Sequence, residues 1–195
     1  MTSANFEKAL VALSNRKFFK NISISRGIER EALRSNLNGV ISKTPHPKSL
    51  GSALTNPFIT TDFAEALIEM VTPTFDTVEG LHSFLENLDF FVKENLNDEI
   101  LWNASMPCEL GDEKQIQIAE YGVSNTGRLK NIYRRGLRER YGSAMQCVSG
   151  IHYNFSLSKK SWQDFLNQNE SNQAEIDKAY FGLIRNVKRN YWLIA

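Results

Sequence analysis

The segment from Ser23 to Glu31 (SISRGIERE) alternates in the way of a β-strand, and it sets two carboxylates side by side. Residues two apart in a strand share a face, so Glu29 and Glu31 are predicted to point the same way. Two carboxylates on one face repel unless water, an arginine or a cation lies between them. Water with an arginine neighbour and a divalent cation both stay open here, and carboxylate oxygen suits Mg²⁺.

A second acidic group, Asp62, Glu65 and Glu69, lies in a largely apolar run after a Pro/Gly/Ser-rich loop over 42–57. An acid between apolar neighbours is costly to bury without a partner, so Glu69 is predicted to face a site rather than bulk water. Asp62 has two interpretations of equal weight, a place in the same site or the N-cap of a helix.

A third polar group lies in a strand predicted from Ser143 to Ser156. Alternation places His152 and Asn154 on one face, opposite Tyr153. A lone histidine on a strand is more often structural than a ligand, but this one has polar neighbours on its face. Oxygen ligands with one imidazole favour a phosphate-handling magnesium or manganese site, because Zn²⁺ would need cysteine or more histidine.

Helical periodicity predicts an N-terminal helix through Phe6, Leu10 and Leu13, a helix capped by Asp76, and two helices that close the chain. Another helix is predicted over 126–141, and its basic faces are either solvated or attract phosphate. Its apolar side consists of Leu129, Ile132, Tyr133, Leu137 and Tyr141. Strands and helices mix without a repeated βαβ order, which predicts the α+β class.

The 195 residues and net charge of +1 predict one domain, or a large piece of one, without a general attraction to nucleic acid or membranes. Two cysteines suit a reducing compartment, and no run of 18 apolar residues occurs, so we expect a cytoplasmic protein. The apolar last residues, 191–195, indicate either a docked final helix or a chain that stops within a larger fold.

Several blocks of the sequence, in order from about residue 22 to 194, resemble bacterial glutamate–cysteine ligase. They are IERE at 28–31, LGSALT at 50–55 beside the His46-Pro47 pair, ITTDFAEAL at 59–67, SMPC at 105–108, YGVSNTGR at 121–128 and GIHYNFS at 150–156. The resemblance implies a glutamine-synthetase-like carboxylate–amine ligase fold, with a curved, mainly antiparallel sheet and flanking helices. It also implies ATP as co-substrate, Mg²⁺ or Mn²⁺ as cofactor, and the joining of the L-glutamate γ-carboxylate to the L-cysteine amine.

The resemblance carries roles to individual residues of this chain. Arg134 would stabilise charge on the transferred phosphoryl group, and Asn154 would contact glutamate. The implied metal ligands are Glu29, Glu31, Asp62, Glu69 and His152. The implied pocket for cysteine is Phe63, Tyr133, Leu137 and Gln146.

The departure from the family pattern is length, because its members are more than twice as long. We therefore interpret residues 1–195 as an N-terminal portion of one catalytic domain, and expect little or no turnover from it alone. Two alternatives stay open: a related ligase that joins glutamate to another amine, and a truncated, non-catalytic paralogue that binds an amino acid or a partner.

Overall fold

A computed structural model describes residues 20–166 and 172–193, with residues 7, 8, 10, 11 and 14 before them. The chain divides into two compact units, residues 26–154 and residues 1–25 with 155–195. The predicted N-terminal helix falls partly outside the described residues, which include Leu10 but neither Phe6 nor Leu13. The α+β class is confirmed, since the described residues form one sheet and several helices.

The sheet has five strands, in the order β2-β3-β1-β4, with β5 also pairing with β1. They are β1 (Ile24–Asn36), β2 (Ile59–Thr61), β3 (Leu67–Val71), β4 (Glu99–Trp102) and β5 (Ile151–Leu157). β1 pairs antiparallel with β3 and with β4, and β2 pairs antiparallel with β3. The expected mainly antiparallel sheet with flanking helices is therefore confirmed.

Alternation along β1 separates two hydrophobic clusters, one on each face of the sheet. Ala32 belongs to a cluster with Ile68, Met70 and residues of the first long helix. Leu33 belongs to the other cluster, whose buried members are Leu33, Ile41, Phe63, Ala64, Ala66, Leu67, Cys108, Ile116 and Cys147. The face that carries Leu33 also carries Glu31 and Glu29, because all three have the same parity.

Helix α1 (Val78–Glu94) covers the Ala32 face of the sheet through Leu88 and Val92. Its N-cap is Thr77, whose side chain accepts a hydrogen bond from the Gly80 N–H, so the expected cap at Asp76 is wrong by one residue. A threonine hydroxyl satisfies a first-turn N–H in the same way as a carboxylate.

Helix α2 (Asn125–Tyr141) begins at the cap Ser124 and ends at Gly142, whose positive φ of 82° confirms the predicted end. The predicted apolar side is wrong for most of its members, which are exposed: Leu129 (67%), Ile132 (63%), Tyr133 (59%) and Tyr141 (59%). Leu137 alone of that set packs against the Leu33 cluster.

The strand predicted from Ser143 is wrong in its first part. Residues 143–148 form turns and a short 3-10 helix, Met145–Cys147, and β5 begins only at Ile151. The turn places the Cys147 side chain in the Leu33 cluster, where it is fully buried. The helix-cap interpretation of Asp62 is also wrong, because residues 62–66 form a turn between β2 and β3.

The unit formed by residues 1–25 and 155–195 contains the two predicted closing helices, α3 (Lys159–Leu166) and α4 (Gln173–Asn190). The Trp162 ring packs edge-on against Tyr180, with ring centroids 4.6 Å apart. A reciprocal pair of hydrogen bonds between Asn172 and Glu175 begins α4. Among the described helices, none is both long enough and apolar enough to cross a membrane.

Candidate active site

One face of the sheet changes from apolar to acidic along its two central strands. Leu33 of β1 lies opposite Leu67 of β3, and two residues further Glu31 lies opposite Glu69. Leu33 and Leu67 are fully buried in the core, whereas Glu69 is half-buried. The strand register therefore holds the carboxylates of Glu31 and Glu69 side by side at the edge of the core.

His152 and Asn154 of β5 both contact Glu29. His152 Nδ1 lies 3.2 Å from Glu29 Oε2, and Asn154 Nδ2 donates a hydrogen bond to Glu29 Oε1 at 3.1 Å. The hydrogen bond with Glu29 raises the pKa of His152 above its usual value. The His152 side chain is 58% exposed, so the alternative of a histidine packed in the core is wrong.

Glu31 is held by the backbone that leads into β5. Gly150 N–H donates to Glu31 Oε2 at 2.8 Å, and Glu31 N–H donates to Gly150 O at 3.0 Å. Burial raises the pKa of Glu31, and nearby Asp62 and Glu29 raise it further, against the lowering effects of the Gly150 hydrogen bond and of His152. The Gly150 N–H thus holds the Glu31 carboxylate in place but supplies no positive charge to balance it.

Glu69 is the most perturbed carboxylate of this face. Burial, followed by repulsion from Asp62, Glu31 and Glu29, raises its pKa to about 7, and the positive charge of Arg134 offsets only part of this. Repulsion between like charges weakens with distance, so these carboxylates lie in the neighbourhood of Glu69. The prediction that Glu69 faces a site rather than bulk water agrees with this position.

Arg134 reaches Asp62 from the buried side of α2. Its Nε donates to the backbone carbonyl of Asp62, and its guanidinium lies 3.7 Å from Asp62 Oδ1. Its guanidinium also lies over the ring of Tyr121, 4.8 Å from the centroid. Arg134 is therefore the arginine that α2 brings to the carboxylates, while Arg128, Arg135 and Arg140 are exposed.

The four residues expected to receive cysteine lie in different environments. The Phe63 side chain is fully buried in the Leu33 cluster, where it supports the core and exposes no surface to a substrate. Leu137 is partly buried against the same cluster, and Gln146 is partly buried in the neighbouring 3-10 helix. Tyr133 is exposed, so of the four it has the most surface open to a ligand.

A cavity of about 560 Å³ lies beside α2, but none of the predicted site residues lines it. Its walls include Glu65, whose two carboxylate oxygens accept hydrogen bonds from His46 N–H and Glu120 N–H, both at 2.8 Å. Glu65 thus stabilises the loops around His46 and Glu120. Its role differs from that of Asp62 and Glu69, the other two acids of the same run.

The carboxylates offer the chemistry that a hard cation prefers, although they are not arranged as a finished metal site. Within residues 20–166 and 172–193 and the few described positions before them, no three His, Cys, Asp or Glu side chains lie close enough to hold a metal ion as they stand. The donors in this region are carboxylate oxygens and one imidazole, which fit Mg²⁺ or Mn²⁺ better than Zn²⁺. Burial is the largest cause of the raised pKa of Glu69, and repulsion from Asp62, Glu31 and Glu29 adds to it.

Two residues of the site were missed by the sequence analysis. Gly150 lies directly before β5, and its backbone hydrogen bond to Glu31 has no signature in the sequence. Tyr121 opens the YGVSNTGR block, and its hydroxyl lies 2.6 Å from the Thr61 carbonyl. A tyrosine inside a block of high resemblance was the one available signal.

Comparison with known proteins gives one consistent family. The glutamate–cysteine ligase family model matches residues 8–195. A glutamate–cysteine ligase of Saccharophagus degradans is 50% identical over 176 residues, and one of Edwardsiella ictaluri is 49% identical over 173 residues. Each match covers 88% of this chain and 33% of the relative, so the chain spans about a third of the length of these proteins.

Solved structures show the same relationship. A glutamate–cysteine ligase from Francisella tularensis, solved in complex with AMP, superposes with a TM-score of 0.82 at 41% identity, over 89% of this chain and 34% of that protein. A bifunctional glutathione synthetase from Pasteurella multocida gives a TM-score of 0.79 at 31% identity, over 97% of this chain and 24% of that protein.

Proposed function

Because the chain belongs to the glutamate–cysteine ligase family, we propose that it supplies the metal-binding carboxylates of an ATP-dependent ligase that joins glutamate to cysteine. The single observation that carries the proposal is the strand register that sets Glu31 opposite Glu69, on the face where Glu29 contacts His152. Burial, together with repulsion from Asp62, Glu31 and Glu29, raises the pKa of Glu69 to about 7. A protein that needs only a stable fold gains nothing from such repulsion, whereas a site for cations and phosphates uses it.

The proposed reaction has two steps, phosphoryl transfer to glutamate and then amide formation. The γ-phosphoryl group of ATP passes to an oxygen of the glutamate γ-carboxylate, which gives γ-glutamyl phosphate and ADP. The cysteine amine then attacks the acyl carbon, the amine loses a proton, and phosphate leaves as the amide bond forms. The relatives cited above are named for glutamate and cysteine, so cysteine rather than another amine is the proposed acceptor.

The residues of this chain divide into three proposed roles. The carboxylates of Glu29, Glu31, Asp62 and Glu69 and the imidazole of His152 would hold Mg²⁺ or Mn²⁺. When bound, such a cation would stabilise the charge that develops on the phosphoryl oxygens. Arg134 adds a fixed positive charge beside Asp62, and α2 presents Tyr133, Leu137 and the neighbouring Gln146 toward the acceptor.

Asn154 has two compatible roles in this proposal. In the structure its amide donates to Glu29 Oε1, so it orients that carboxylate. Its side-chain oxygen is left to accept from the amino group of a bound glutamate. We also infer a reducing, cytoplasmic setting, which is supported by the free thiols of Cys108 and Cys147.

The metal role can be tested on the chain itself. Electron paramagnetic resonance of free Mn²⁺ measures binding, and Glu29→Gln and His152→Ala should each weaken it about tenfold or more, since a lost ligand and its partners typically cost this much. Glu94→Gln is the matched control, because Glu94 is an exposed acid at the end of α1. Equal Mn²⁺ affinity of Glu29→Gln and the unchanged chain would exclude the proposed metal site.

A further inference from the structure

We infer that Tyr121 is a positioning residue for the proposed reaction, because it holds both the backbone of Asp62 and the guanidinium of Arg134. This inference rests on the proposed function. The Tyr121 hydroxyl donates to backbone carbonyls and not to a carboxylate group, so Tyr121 acts through Asp62 and Arg134.

The hydroxyl of Tyr121 fixes the end of β2. It donates to the Thr61 carbonyl at 2.6 Å and lies 3.1 Å from the Asp62 carbonyl. The N–H of Asp62 donates to Leu67 O at 3.0 Å, so both sides of this peptide are held. Asp62 is 42% exposed at its side chain, which therefore depends on its backbone for its position.

The face of the Tyr121 ring packs against the Arg134 guanidinium. The guanidinium of Arg134 and the ammonium of Lys130 both lie 4.8 Å from the ring centroid. The face of a tyrosine ring attracts cations, and the interaction strengthens where water is excluded. The same guanidinium donates to the Asp62 carbonyl, so ring, arginine and aspartate form one unit.

Tyr121 is well suited to this task because it is buried and held at both its side chain and its backbone. Its side chain is only 6% exposed, and its backbone carbonyl lies against the first turn of α2, where a Cβ on Gly127 would come within 2.4 Å of it. Asn131 then donates to Ala119 O at 3.0 Å, two residues before Tyr121. The helix that carries Arg134 is thus attached to the same segment that carries the tyrosine.

The first test measures Mn²⁺ affinity of the 195-residue chain by electron paramagnetic resonance. Tyr121→Phe keeps the ring and removes the hydroxyl, so we expect about a three- to tenfold loss, equivalent to one hydrogen bond of about 1 kcal/mol. On an Asp62→Asn background the same change should cause no further loss, since both act through one carboxylate. Tyr141→Phe, on the exposed face of α2, is the control and should leave the affinity unchanged.

The second test follows the Arg134 Nε–H signal by nuclear magnetic resonance, assigned through its disappearance in Arg134→Lys. The ring current of Tyr121 and the hydrogen bond to the Asp62 carbonyl both set the chemical shift of this proton, so Tyr121→Leu should change that shift by removing the ring that holds the guanidinium. This readout does not depend on a metal.

The outcomes separate the two proposals. If Glu29→Gln weakens Mn²⁺ binding and Tyr121→Phe does not, or if the Tyr121 and Asp62 effects add, the inference about Tyr121 is wrong and the proposed function stands. If the unchanged chain binds no Mn²⁺, the proposed metal site fails, and the arginine signal alone decides whether Tyr121 holds Arg134. An Arg134 signal that is unchanged in Tyr121→Leu would overturn the inference.

Discussion

Glu69 shows at the scale of one residue how a site can oppose the fold that carries it. Its backbone lies in the ladder between β2 and β3, and its neighbours Ile68 and Met70 are fully buried. Burial, followed by repulsion from Asp62, Glu31 and Glu29, nevertheless raises the pKa of its carboxyl group to about 7. The pairing of β3 places the Glu69 carboxylate in this site. When no metal is bound, the charge of that carboxylate destabilises the folded chain.

The first prediction is that Glu69→Gln stabilises the metal-free chain at pH 8 but not at pH 4.5. The pKa of Glu69 is raised in the folded state, so this state binds the proton more tightly than the unfolded chain. The stabilisation from that proton is present below about 4.5 and is lost as the pH rises through about 7. We expect a gain of about 1–2 kcal/mol at pH 8, reduced from the full shift because the carboxylate is partly exposed.

Urea denaturation at the two pH values measures this difference. Glu94→Gln should show no such pH-dependent gain, since Glu94 is exposed on α1. A stability difference between Glu69→Gln and the unchanged chain that is constant with pH would contradict the assigned cause.

Arg34 is a buried charge whose two terminal guanidinium nitrogens are hydrogen-bonded, whereas its Nε has no partner among the described residues. Its side chain has no exposed surface, and its guanidinium donates to Glu99 Oε2 at 2.7 Å, to Thr44 O at 2.8 Å and to Glu65 O at 3.1 Å. Burial alone would raise the pKa of Glu99, but hydrogen bonds from Ser42 and Thr44 and the charge of Arg34 lower it overall. Arg34 thereby ties the loop after β1 to β4.

The second prediction is that Arg34→Met lowers the free energy of unfolding by about 3–5 kcal/mol, because it leaves the Glu99 charge buried without its partner. Adding Glu99→Gln should recover part of this loss, and Arg128→Met on the exposed face of α2 should cost less than about 0.5 kcal/mol. Chemical denaturation of the four proteins checks the prediction. A double variant less stable than Arg34→Met would argue against an uncompensated charge as the cause.

At the scale of an element, α2 explains why hydrophobic periodicity selected the wrong face. Gly127, Asn131, Arg134 and Arg138 lie at the spacing of one helix face, and three of their side chains donate to backbone carbonyls. The buried face is therefore polar, because it satisfies the irregular segment 116–121 and the turn after β2. Periodicity of apolar residues contains no information about such a face.

The third prediction concerns Gly127, where α2 contacts that segment. A Cβ at this position would lie 2.4 Å from Tyr121 O and 2.9 Å from Gly122 O, so Gly127→Ala must displace the helix or the segment. We expect a loss of about 1–2 kcal/mol after the gain in helix propensity is subtracted. Gly136→Ala in the same helix meets only the end of the Arg140 side chain, and should stabilise by up to about 1 kcal/mol.

Thermal and urea unfolding of Gly127→Ala and Gly136→Ala give the comparison. Because both changes add one methyl group to one helix, opposite signs would identify the contact with Tyr121 as the cause. Stabilisation by Gly127→Ala would show that the helix is not held against residue 121.

Local patterns predicted the strands better than the faces of the helices. β1 could be predicted because residues 23–31 alternate, and the shared face of Glu29 and Glu31 follows from strand geometry alone. The pairing of Glu31 with Glu69 could not be predicted, since register depends on contacts 38 positions apart in the sequence. The strand predicted from Ser143 is absent over 143–150. Residues 145–147 form a 3-10 helix there, which places the Cys147 side chain in the core.

At the scale of the whole molecule, the site is a meeting point of distant segments. Residues from β1, β3, β5, α2 and the turn after β2 meet there. From the sequence, only the resemblance to a family assigned these residues to one site. Composition and periodicity predicted the α+β class and the presence of acidic groups. They did not predict the role of Gly150 or Tyr121, whose contributions are a backbone N–H and a contact to backbone carbonyls.

The fourth prediction is that the 195-residue chain alone does not catalyse ligation, whereas the same chain joined to the remainder of a relative does. The chain covers about a third of the Saccharophagus degradans enzyme, and the positive groups described beside its carboxylates are side chains such as Arg134, which lies 3.7 Å from Asp62 Oδ1. The charge of a triphosphate and its metals requires more positive groups than these, and the parts of one catalytic unit do not act additively.

The measurement is cysteine-dependent release of ADP with glutamate, Mg²⁺ and ATP. The chain alone should give the background rate, and a chimera in which it replaces the matched third of the Saccharophagus degradans enzyme should be active. Within that chimera, Glu29→Gln should lower kcat by about 100-fold or more, because the loss of a proposed metal ligand would remove charge stabilisation needed in the transition state. Glu94→Gln should leave kcat unchanged, so an active Glu29→Gln chimera would separate these carboxylates from the chemistry.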